Sequence, residues 1–380
     1  MTPPAPEAIP ASDIDDLGRY LALMVSYGAS DMFLSSDVAA SLKIQGRIRR
    51  LPEPAMTGTR IKALAYSVMR DSQIREFEAE LECDLAIALG PLGRFRVNVF
   101  RQRGEVAVVV RHINSKIPTL ESLKLPPVLK TLAMLKRGLV LVVGAAGSGK
   151  STTLAAMLDW RNEMASDHIL TVEDPMEFEH SHKKCIVDQR EVGLDTRSFD
   201  EALRRAMREA PDVIMIGEIR DRDTMQHAMA YAETGHLCVS TLHANNANQV
   251  MQRIMNFFPE AAHRQVQMDL SLNLKGVVGQ RLLAGADGKR VPAVEVLLLS
   301  PYVADLIQKG KTDEIKDAMA KSTELGMMTF DQSLYELYVR GDITQEQAIE
   351  NADSKTDLSL RIRLASGRRP ETDALRVLRD

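Results

Sequence analysis

Glycines, a lysine and a hydroxyl are arranged over Gly144–Ser151 at the spacing of a phosphate-binding loop. The loop follows the aliphatic run 139–143 and precedes a helical apolar pattern, which is the strand–loop–helix setting that such a loop requires. Glycines let backbone N–H groups converge on phosphate oxygens, and the helix N-terminus adds partial positive charge. Lys150 would reach the β- and γ-phosphates, and the Ser151 hydroxyl would bind Mg²⁺. The residues predicted to bind the nucleotide are Gly144, Gly147, Ser148, Gly149, Lys150, Ser151 and Thr152.

Two acidic segments follow apolar strands and are candidates for catalysis. Glu173 lies in Thr171-Val-Glu-Asp-Pro, at the carboxyl end of a predicted strand, where ligands bind in doubly wound sheets. Glu218 follows a second apolar run, at a place where phosphate-binding-loop enzymes usually have an aspartate that holds Mg²⁺ through water. Glu218 is therefore predicted both to act on water and to hold the metal with Ser151. The alternatives are a strand-end turn at Glu173 and a surface acid paired with Arg220 at Glu218.

Two histidines flank one apolar strand at opposite ends. His236 begins it, and His243 follows its carboxyl end, where it would face the nucleotide and either sense the γ-phosphate or transmit a bond change to a neighbouring subunit. Both are candidate catalytic residues, although a lone histidine is more often structural. A zinc site is not predicted, because no cysteine or acid completes a ligand set.

Arginines are concentrated on a strand near residue 95. Arg94 and Arg96 share one face by the two-residue period of a strand, and Arg101 follows at its end. Such a cluster is either a solvated sheet face or a set of guanidinium groups that binds triphosphate. Three further arginines, Arg204, Arg205 and Arg208, are predicted to lie on one amphipathic helix as surface or subunit-contact residues.

The bulk composition indicates a soluble cytoplasmic protein. The chain has 380 residues, of which 45% are hydrophobic, which is enough for two domains. The net charge of −4 argues against a general nucleic-acid-binding surface. Cys83, Cys185 and Cys238 form no CxxC pair, so neither zinc nor a disulfide framework is expected. No apolar run approaches the roughly 20 residues of a membrane helix, and no signal peptide is recognisable.

The order of the patterns predicts an α/β protein with several parts. From residue 128 onward, strands and helices alternate as in a parallel α/β sheet, and prolines at 118, 126 and 127 mark a linker before it. The predicted parts are a disordered N-terminus (1–11), a small α+β domain (12–115), a linker (116–127), an α/β domain (128–300), a helical C-terminal region (301–366) and a flexible tail (367–380).

Individual elements follow from hydrophobic periodicity. The predicted strands are 32–34, 42–44, 48–51, 95–100, 106–113, 139–143, 168–172, 213–216, 237–241 and 291–298, the last five in the parallel sheet. The predicted helices are 14–25, with a capping box at Ser12 and Asp15, then 59–80, 151–164, 199–209, 222–234, 247–256, 302–309, 312–321, 329–339, 344–351 and 357–365.

Taken together, GAAGSGKS, ILTVEDPMEF, DVIMIGEIRD and AETGHLCVSTLHANNANQ resemble the four boxes of the secretion ATPase superfamily in order and spacing. The stretch GRFRVNVFRQR resembles that family's N-terminal arginine segment. Within the superfamily the chain resembles the type IV pilus retraction branch, in which NFFPEAAHRQVQMDLSLNLKGVVGQRLL is also found. The resemblance covers residues 13–300.

The resemblance implies a PAS-like N-terminal domain, a RecA-like phosphate-binding-loop NTPase core, a helical C-terminal extension and a homo-hexameric ring that hydrolyses ATP with Mg²⁺. It assigns phosphate and Mg²⁺ contacts to Lys150 and Ser151, and catalytic acid roles to Glu173 and Glu218. It also implies an accessory motor at the inner membrane beneath the pilus. Its partners would be a PilT-like retraction ATPase and an inner-membrane platform protein.

Two segments depart from the family pattern. Ser36–Ser41 replaces a Gly/Pro-Pro turn, and Val303–Ile307 stands where retraction ATPases have an Ala-Ile-Arg-x-Leu helix motif. Loss of that arginine favours an accessory role over independent retraction.

Three other functions compete with this interpretation. A pilus-extension or type II secretion ATPase would carry a tetracysteine element, and a RecA-like DNA translocase would be more basic. A non-catalytic nucleotide-binding scaffold on a PilT ring requires defective boxes, whereas these are intact in residue type. The roles of Glu173 and Glu218 remain interchangeable at this level.

Overall fold

A computed structural model describes residues 16–113 and 115–365 of the chain. The predicted disordered N-terminus, the capping box at Ser12 and the predicted flexible tail lie outside these residues. Two compact units are present. The N-terminal unit comprises residues up to Lys116 together with Pro175–Ser181 and Arg190–Ser198. The C-terminal unit comprises Ile117–Asp174, His182–Gln189 and the chain from Phe199.

The N-terminal unit is built on a six-stranded antiparallel sheet of order β3-β2-β1-β6-β5-β4. Its elements are α1 (Asp16–Ser26), β1 (Asp31–Leu34), β2 (Ser41–Ile44), β3 (Arg47–Arg50), α2 (Gly58–Ser67), α3 (Asp71–Glu80), β4 (Glu82–Ala88), β5 (Arg94–Gln102) and β6 (Glu105–Ile113). Phe95, Val97 and Val99 of β5 are buried, so Arg94 and Arg96 occupy the other face, as the two-residue period predicts.

The single helix predicted over 59–80 is wrong, because the structure has two helices there. α2 ends at Ser67, and α3 begins after Arg70, whose backbone N–H is bound by the Gln73 side chain. Leu81 then adopts a left-handed conformation that ends α3. The chain enters β4, a strand that hydrophobic periodicity did not reveal.

The C-terminal unit is built on a seven-stranded sheet of order β13-β12-β7-β11-β10-β8-β9. Its elements are α4 (Val128–Ala133), β7 (Gly138–Val143), α5 (Lys150–Met164), β8 (His168–Glu173), β9 (Ile186–Glu191), α6 (Phe199–Ala206), β10 (Val213–Ile219), α7 (Arg222–Glu233), β11 (Leu237–Leu242), α8 (Ala247–Met255), α9 (His263–Asn273), β12 (Leu274–Ala284) and β13 (Arg290–Leu298). The α/β class predicted from the sequence is confirmed.

One strand of the predicted parallel sheet runs the other way. β13 pairs antiparallel with β12, a strand that was not predicted, and β12 is parallel to β7. A short turn connects β12 to β13, in which Gly285 N–H donates to Lys289 C=O. Only antiparallel neighbours can be joined by so short a connection, so this hairpin reverses the direction of the edge strand.

In the part of the chain described up to residue 365, five α-helices follow the sheet: α10 (Pro301–Gln308), α11 (Ile315–Ala320), α12 (Phe330–Val339), α13 (Gln345–Glu350) and α14 (Lys355–Ala365). Ser300, Thr329 and Thr344 cap three of them with their side chains. Phe330 and Leu334 of α12 pack with Leu283 and Val291 of the β12–β13 hairpin in a separate apolar cluster.

The three arginines predicted on one helix surface are divided. Arg204 and Arg205 lie on α6 and pair with Asp200 and Glu201 one turn earlier. Arg208 lies beyond the helix, which ends at Ala206 rather than at residue 209. Within the described residues, none of the helices combines the length and the apolar character needed to cross a bilayer.

Candidate active site

Four parallel strands end at one edge of the seven-stranded sheet and place the candidate groups there. β7, β11, β10 and β8 are consecutive neighbours, with Val143 opposite Leu242 and Val172 opposite Ile216. The phosphate-binding loop, His243, Glu218 and Glu173 follow these strands in that order. Since neighbouring strands lie about 4.8 Å apart, the strand of Glu218 is roughly 10 Å and that of Glu173 roughly 14 Å from the strand of the loop.

Two glycines of the loop cannot be replaced without a clash. Gly144 has φ 155° and Gly149 has φ 89°, both in the region that favours glycine. A Cβ on Gly144 would come within 2.4 Å of the Gln280 carbonyl oxygen and of Ser148 Oγ. Gly149 is the left-handed N-cap of α5, so the helix begins directly at Lys150. The backbone is thus shaped to approach a ligand closely at a helix N-terminus.

The side chains of the loop are suited to phosphate. Lys150 is 8% exposed, and its Nζ donates to the carbonyls of Gly144 and Ala145 at 3.0 Å each. This folds the ammonium group over the loop. Ser148 Oγ is buried without a hydrogen-bond partner among the described residues. Ser151 and Thr152 are half-buried in the first turn of α5. A buried hydroxyl without a partner next to a lysine fits an anionic ligand.

A bulge in β10 directs Glu218 toward two basic side chains. The register with β11 shifts between Ile216 and Ile219. Glu218 Oε2 accepts a hydrogen bond from Arg220 Nε at 2.6 Å, and Oε1 lies 2.6 Å from His243 Nε2 without hydrogen-bond alignment. Arg220 also contacts Asp174 at 3.3 Å. The pairing with Arg220 that the sequence left as an alternative is present, and the contact with His243 is added to it.

Glu173 has different surroundings at the end of β8. It is 5% exposed, and its Oε1 accepts hydrogen bonds from Thr171 Oγ1 at 2.7 Å and Gln189 Nε2 at 3.2 Å. A Cβ on Gly217 would lie 3.2 Å from the Glu173 Cα. Glycine at 217, where an aspartate is usual, therefore lets β10 approach β8 closely next to this carboxylate.

The structure separates the two candidate histidines. His243 follows β11 at the edge with the phosphate-binding loop, whereas His236 precedes the strand. The His236 ring nitrogen Nδ1 contacts the Tyr231 carbonyl oxygen and Thr234 Oγ1. Six strand residues separate the histidines, a distance of roughly 20 Å. Within one chain, His236 is therefore not brought together with the other candidates.

The candidate arginines belong to the N-terminal unit, where acids of the same unit hold two of them. Arg96 lies 3.5 Å from both Asp84 and Glu191, and Arg101 donates to Glu78 at 2.7 Å. Burial raises the pKa of Glu191, and Arg96 opposes that rise. Hydrogen bonds from Tyr66, Lys62 and Arg101 hold the pKa of the exposed Glu78 carboxyl at about 2.

Arg94 has a guanidinium Nε that is buried without a hydrogen-bond partner among the described residues. The three arginines thus differ in their contacts: Arg101 is paired with Glu78, and Arg96 lies between two acids.

A groove of about 960 Å³ adjoins the phosphate-binding loop and contains residues that the sequence did not single out. Gln280 accepts a hydrogen bond from Thr153 Oγ1 at 2.6 Å, which fastens β12 to α5. Arg281 binds Asp353 at 2.7 Å and lies 3.9 Å from the Phe330 ring centre. The signal for both was weak, since Gln280-Arg281 appears only inside an unpredicted strand.

Comparison with known proteins gives consistent results. The family described as "Type II/IV secretion system protein" matches residues 14–362. The chain is 53% identical over 357 residues to "Type IV pilus ATPase PilU" of Pseudomonas aeruginosa, covering 94% of this chain and 92% of the relative. It is 42% identical over 337 residues to "Type IV pilus retractation ATPase PilT" of the same organism, covering 89% and 98%.

Solved structures show the same fold. "Crystal Structure of the Pilus Retraction Motor PilT and Bound ADP" aligns with a TM-score of 0.85 at 41% identity, covering 92% of this chain and 100% of that one. The Legionella pneumophila ATPase DotB aligns with a TM-score of 0.74 at 24% identity, covering 93% and 96%, and supports the fold alone. The predicted resemblance to the retraction branch and the ATPase class are confirmed by these relatives.

Proposed function

The chain belongs to the type II/IV secretion system protein family, and on that premise we propose that it is a Mg²⁺-dependent ATPase motor that assists type IV pilus retraction. The observation that carries the proposal is the convergence of the phosphate-binding loop, His243, Glu218 and Glu173 at one edge of four adjacent parallel strands. Its relatives named PilU and PilT, the latter solved with ADP, support the pilus role and the nucleotide.

The geometry supports separate roles for the two glutamates. The two carboxylates differ in their burial and in the side chains that they contact. Glu218 contacts Arg220 and His243 at the end of β10, and we assign it to hold Mg²⁺ together with Ser151. Glu173 is 5% exposed at the end of β8, where its Oε1 accepts hydrogen bonds from Thr171 and Gln189, and we assign it to orient the attacking water.

The residues present fit a Mg²⁺–triphosphate ligand. A serine hydroxyl and carboxylates are the oxygen donors that Mg²⁺ uses beside substrate phosphates. When bound, Mg²⁺ would neutralise charge that develops on the phosphates. Lys150 and the N–H groups at the start of α5 would bind the β- and γ-phosphate oxygens. Arg94, Arg96 and Arg101 are proposed to bind the triphosphate, Arg101 only if it leaves Glu78.

The proposal extends to assembly and location. We place the chain in a homo-hexamer at the cytoplasmic face of the inner membrane. Its partners there would be a PilT-like retraction ATPase and the pilus platform protein. Asp305 supports the accessory role, because it stands where retraction ATPases have an arginine and pairs with Lys309 on the surface of α10. His236 stays a catalytic candidate only through another subunit.

ATP turnover tests the proposal directly. Turnover by the purified full chain would be measured against protein concentration with Mg²⁺, beside Lys150→Ala and the exposed control Lys321→Ala. We expect turnover per chain to rise with assembly, to vanish in Lys150→Ala and to persist in the control. A further rise with a PilT-like partner supports the accessory motor. ATP binding with no turnover in any condition refutes the motor and favours the scaffold.

A further inference from the structure

A buried carboxylate on β13 has no role in the site described above. Glu295 is 2% exposed, and its Oε2 accepts a hydrogen bond of 2.7 Å from the backbone N–H of Ala247. Ala247 is the first residue of α8, and Asn246 caps the same helix by accepting from Gln249 N–H. Glu295 therefore binds one of the N–H groups that a helix start leaves without an intrahelical partner. A negative charge there also interacts favourably with the helix dipole.

The segment that Glu295 holds is part of the candidate active site. It begins at His243, next to Glu218, and continues to Asn246, and both Asn245 and Asn246 line the groove beside the phosphate-binding loop. Its course is short, since Ala247 follows His243 by four residues. Fixing the Ala247 N–H therefore fixes one end of a segment whose other end contacts Glu218.

Charged groups from three other elements surround Glu295. They are Arg281 on β12, Lys316 on α11 and Asp353 before α14, and both cations bind Asp353. Burial raises the pKa of Glu295 from an ordinary 4.5 to about 7, and Asp353 adds to the rise. The Ala247 N–H, Arg281 and Lys316 act in the opposite direction. The carboxyl thus changes charge near neutral pH while it remains bound to α8.

We propose that Glu295 is a positioning residue that holds the segment from His243 to Ala247 in place, and so sets how well His243 and Glu218 support ATP hydrolysis. The inference rests on the proposed function for its kinetic consequence, but the contact itself does not. The ionised carboxylate is the stronger acceptor for the Ala247 N–H, because hydrogen bonds to charged groups are the stronger ones. The hydrogen bond from the Ala247 N–H to Glu295 is therefore expected to strengthen as pH rises through about 7.

Removal of the acceptor tests the positioning role. Glu295→Ala should lower kcat about tenfold or more, with KM for ATP changed less than about threefold, because the phosphate-binding loop is untouched. The exposed Glu336→Gln on α12 is the control and should match the wild type. An unchanged kcat in a folded Glu295→Ala protein overturns the proposal.

The amide variant separates charge from shape. Glu295→Gln keeps a carbonyl oxygen for Ala247 but cannot ionise. Between pH 6 and 8 the wild-type kcat should rise about fivefold more than that of Glu295→Gln, the difference expected between a charged and a neutral acceptor. Since His243 and Glu218 are retained in both proteins, their own titration cancels in this ratio. Equal pH profiles in the two proteins overturn the proposal, even if Glu295→Ala fails to fold.

The melting temperature distinguishes the positioning role of Glu295 from a purely structural one, because the two roles predict changes of opposite sign in Glu295→Gln. A carboxyl whose pKa is raised on folding lowers the stability of the folded protein when it ionises. This loss of stability develops as pH rises from about 4.5 through about 7. Glu295→Gln should therefore melt at a higher temperature than the wild type at pH 8, and yet have the lower kcat there. A lower melting temperature together with the lower kcat would indicate a structural role and overturn the proposal.

Hydrogen exchange keeps the inference distinct from the proposed function. Without nucleotide, the amide hydrogens of residues 244–250 should exchange faster in Glu295→Ala than in the wild type, with the phosphate-binding loop unchanged. This result supports the contact even if the wild type hydrolyses no ATP, an outcome that would refute only the motor. Unchanged exchange in this segment overturns the inference while leaving the motor intact.

Discussion

The ends of β8 and β10 present two glutamates in contrasting surroundings. Glu173 is nearly buried and accepts hydrogen bonds from a hydroxyl and an amide, whereas Glu218 contacts an arginine and a histidine. The residue type is the same, and only the neighbours differ. We assign the nearly buried Glu173 to the attacking water and Glu218 to the metal, so the two are expected to respond differently to substitution. Four substitutions separate those tasks.

The largest effect is expected for Glu173→Gln. If Glu173 orients and activates water, loss of its charge should lower kcat about 10²–10⁴-fold while ATP still binds. Single-turnover hydrolysis and nucleotide-binding titration measure the two quantities. The neighbouring acid Asp174, which contacts Arg220, supplies the control Asp174→Asn. If Asp174→Asn lowers kcat as much as Glu173→Gln does, then negative charge at the end of β8 is what matters, and Glu173 has no specific role.

Glu218→Gln should have the next largest effect and a different character. A group that helps to hold the metal is expected to change apparent Mg²⁺ affinity or activity about 10–100-fold. Raising Mg²⁺ should therefore recover part of the turnover in Glu218→Gln and none in Glu173→Gln. Should Mg²⁺ rescue Glu173→Gln instead, the two assignments are reversed.

The two glutamates also show which features of the site could be predicted from the sequence and which could not. Glu173 and Glu218 were both found because each follows a continuous apolar run, which is a local signal that a buried parallel strand produces. Their partners His243 and Gln189 come from elements 25 and 16 residues away in the chain. Side-chain pairing across strands depends on register, which no local pattern encodes.

The strands of the fold were likewise predicted only where the sequence carries a local signal. The strands β7, β8, β10 and β11 are continuous apolar runs and were predicted, while β4, β9 and β12 contain charged or polar residues and were missed. Missing β12 also reversed the expected direction of β13 and hid Gln280 beside the loop. Glu295 was missed for a related reason, because a buried acid inside an apolar strand resembles a polar interruption until its helix partner is known.

Gly217→Ala is expected to disturb Glu173 and Glu218 together, so that their separate contributions to turnover become harder to distinguish. The new Cβ would lie 3.2 Å from the Glu173 Cα and 3.4 Å from the Val172 carbonyl oxygen, and neither backbone atom can yield easily. Overpacking of this kind costs about 1–3 kcal/mol. We expect a lower melting temperature and a kcat reduced about tenfold, since small displacements of catalytic groups are costly. Normal stability and turnover would show that the strand ends are not closely coupled.

The smallest effect is expected for Arg220→Ala. Arg220 is 55% exposed in its side chain, and exposed ion pairs contribute only about 0–1 kcal/mol. Glu218 would still have His243 beside it, so kcat should stay within about threefold of the wild type. His243→Ala is the matched comparison, because it removes the other basic neighbour of the same carboxylate. If Arg220→Ala lowers kcat as much as Glu218→Gln, the guanidinium group is needed to orient Glu218. The cationic surroundings of the β10 end would then be part of its function, rather than a consequence of its position at the surface.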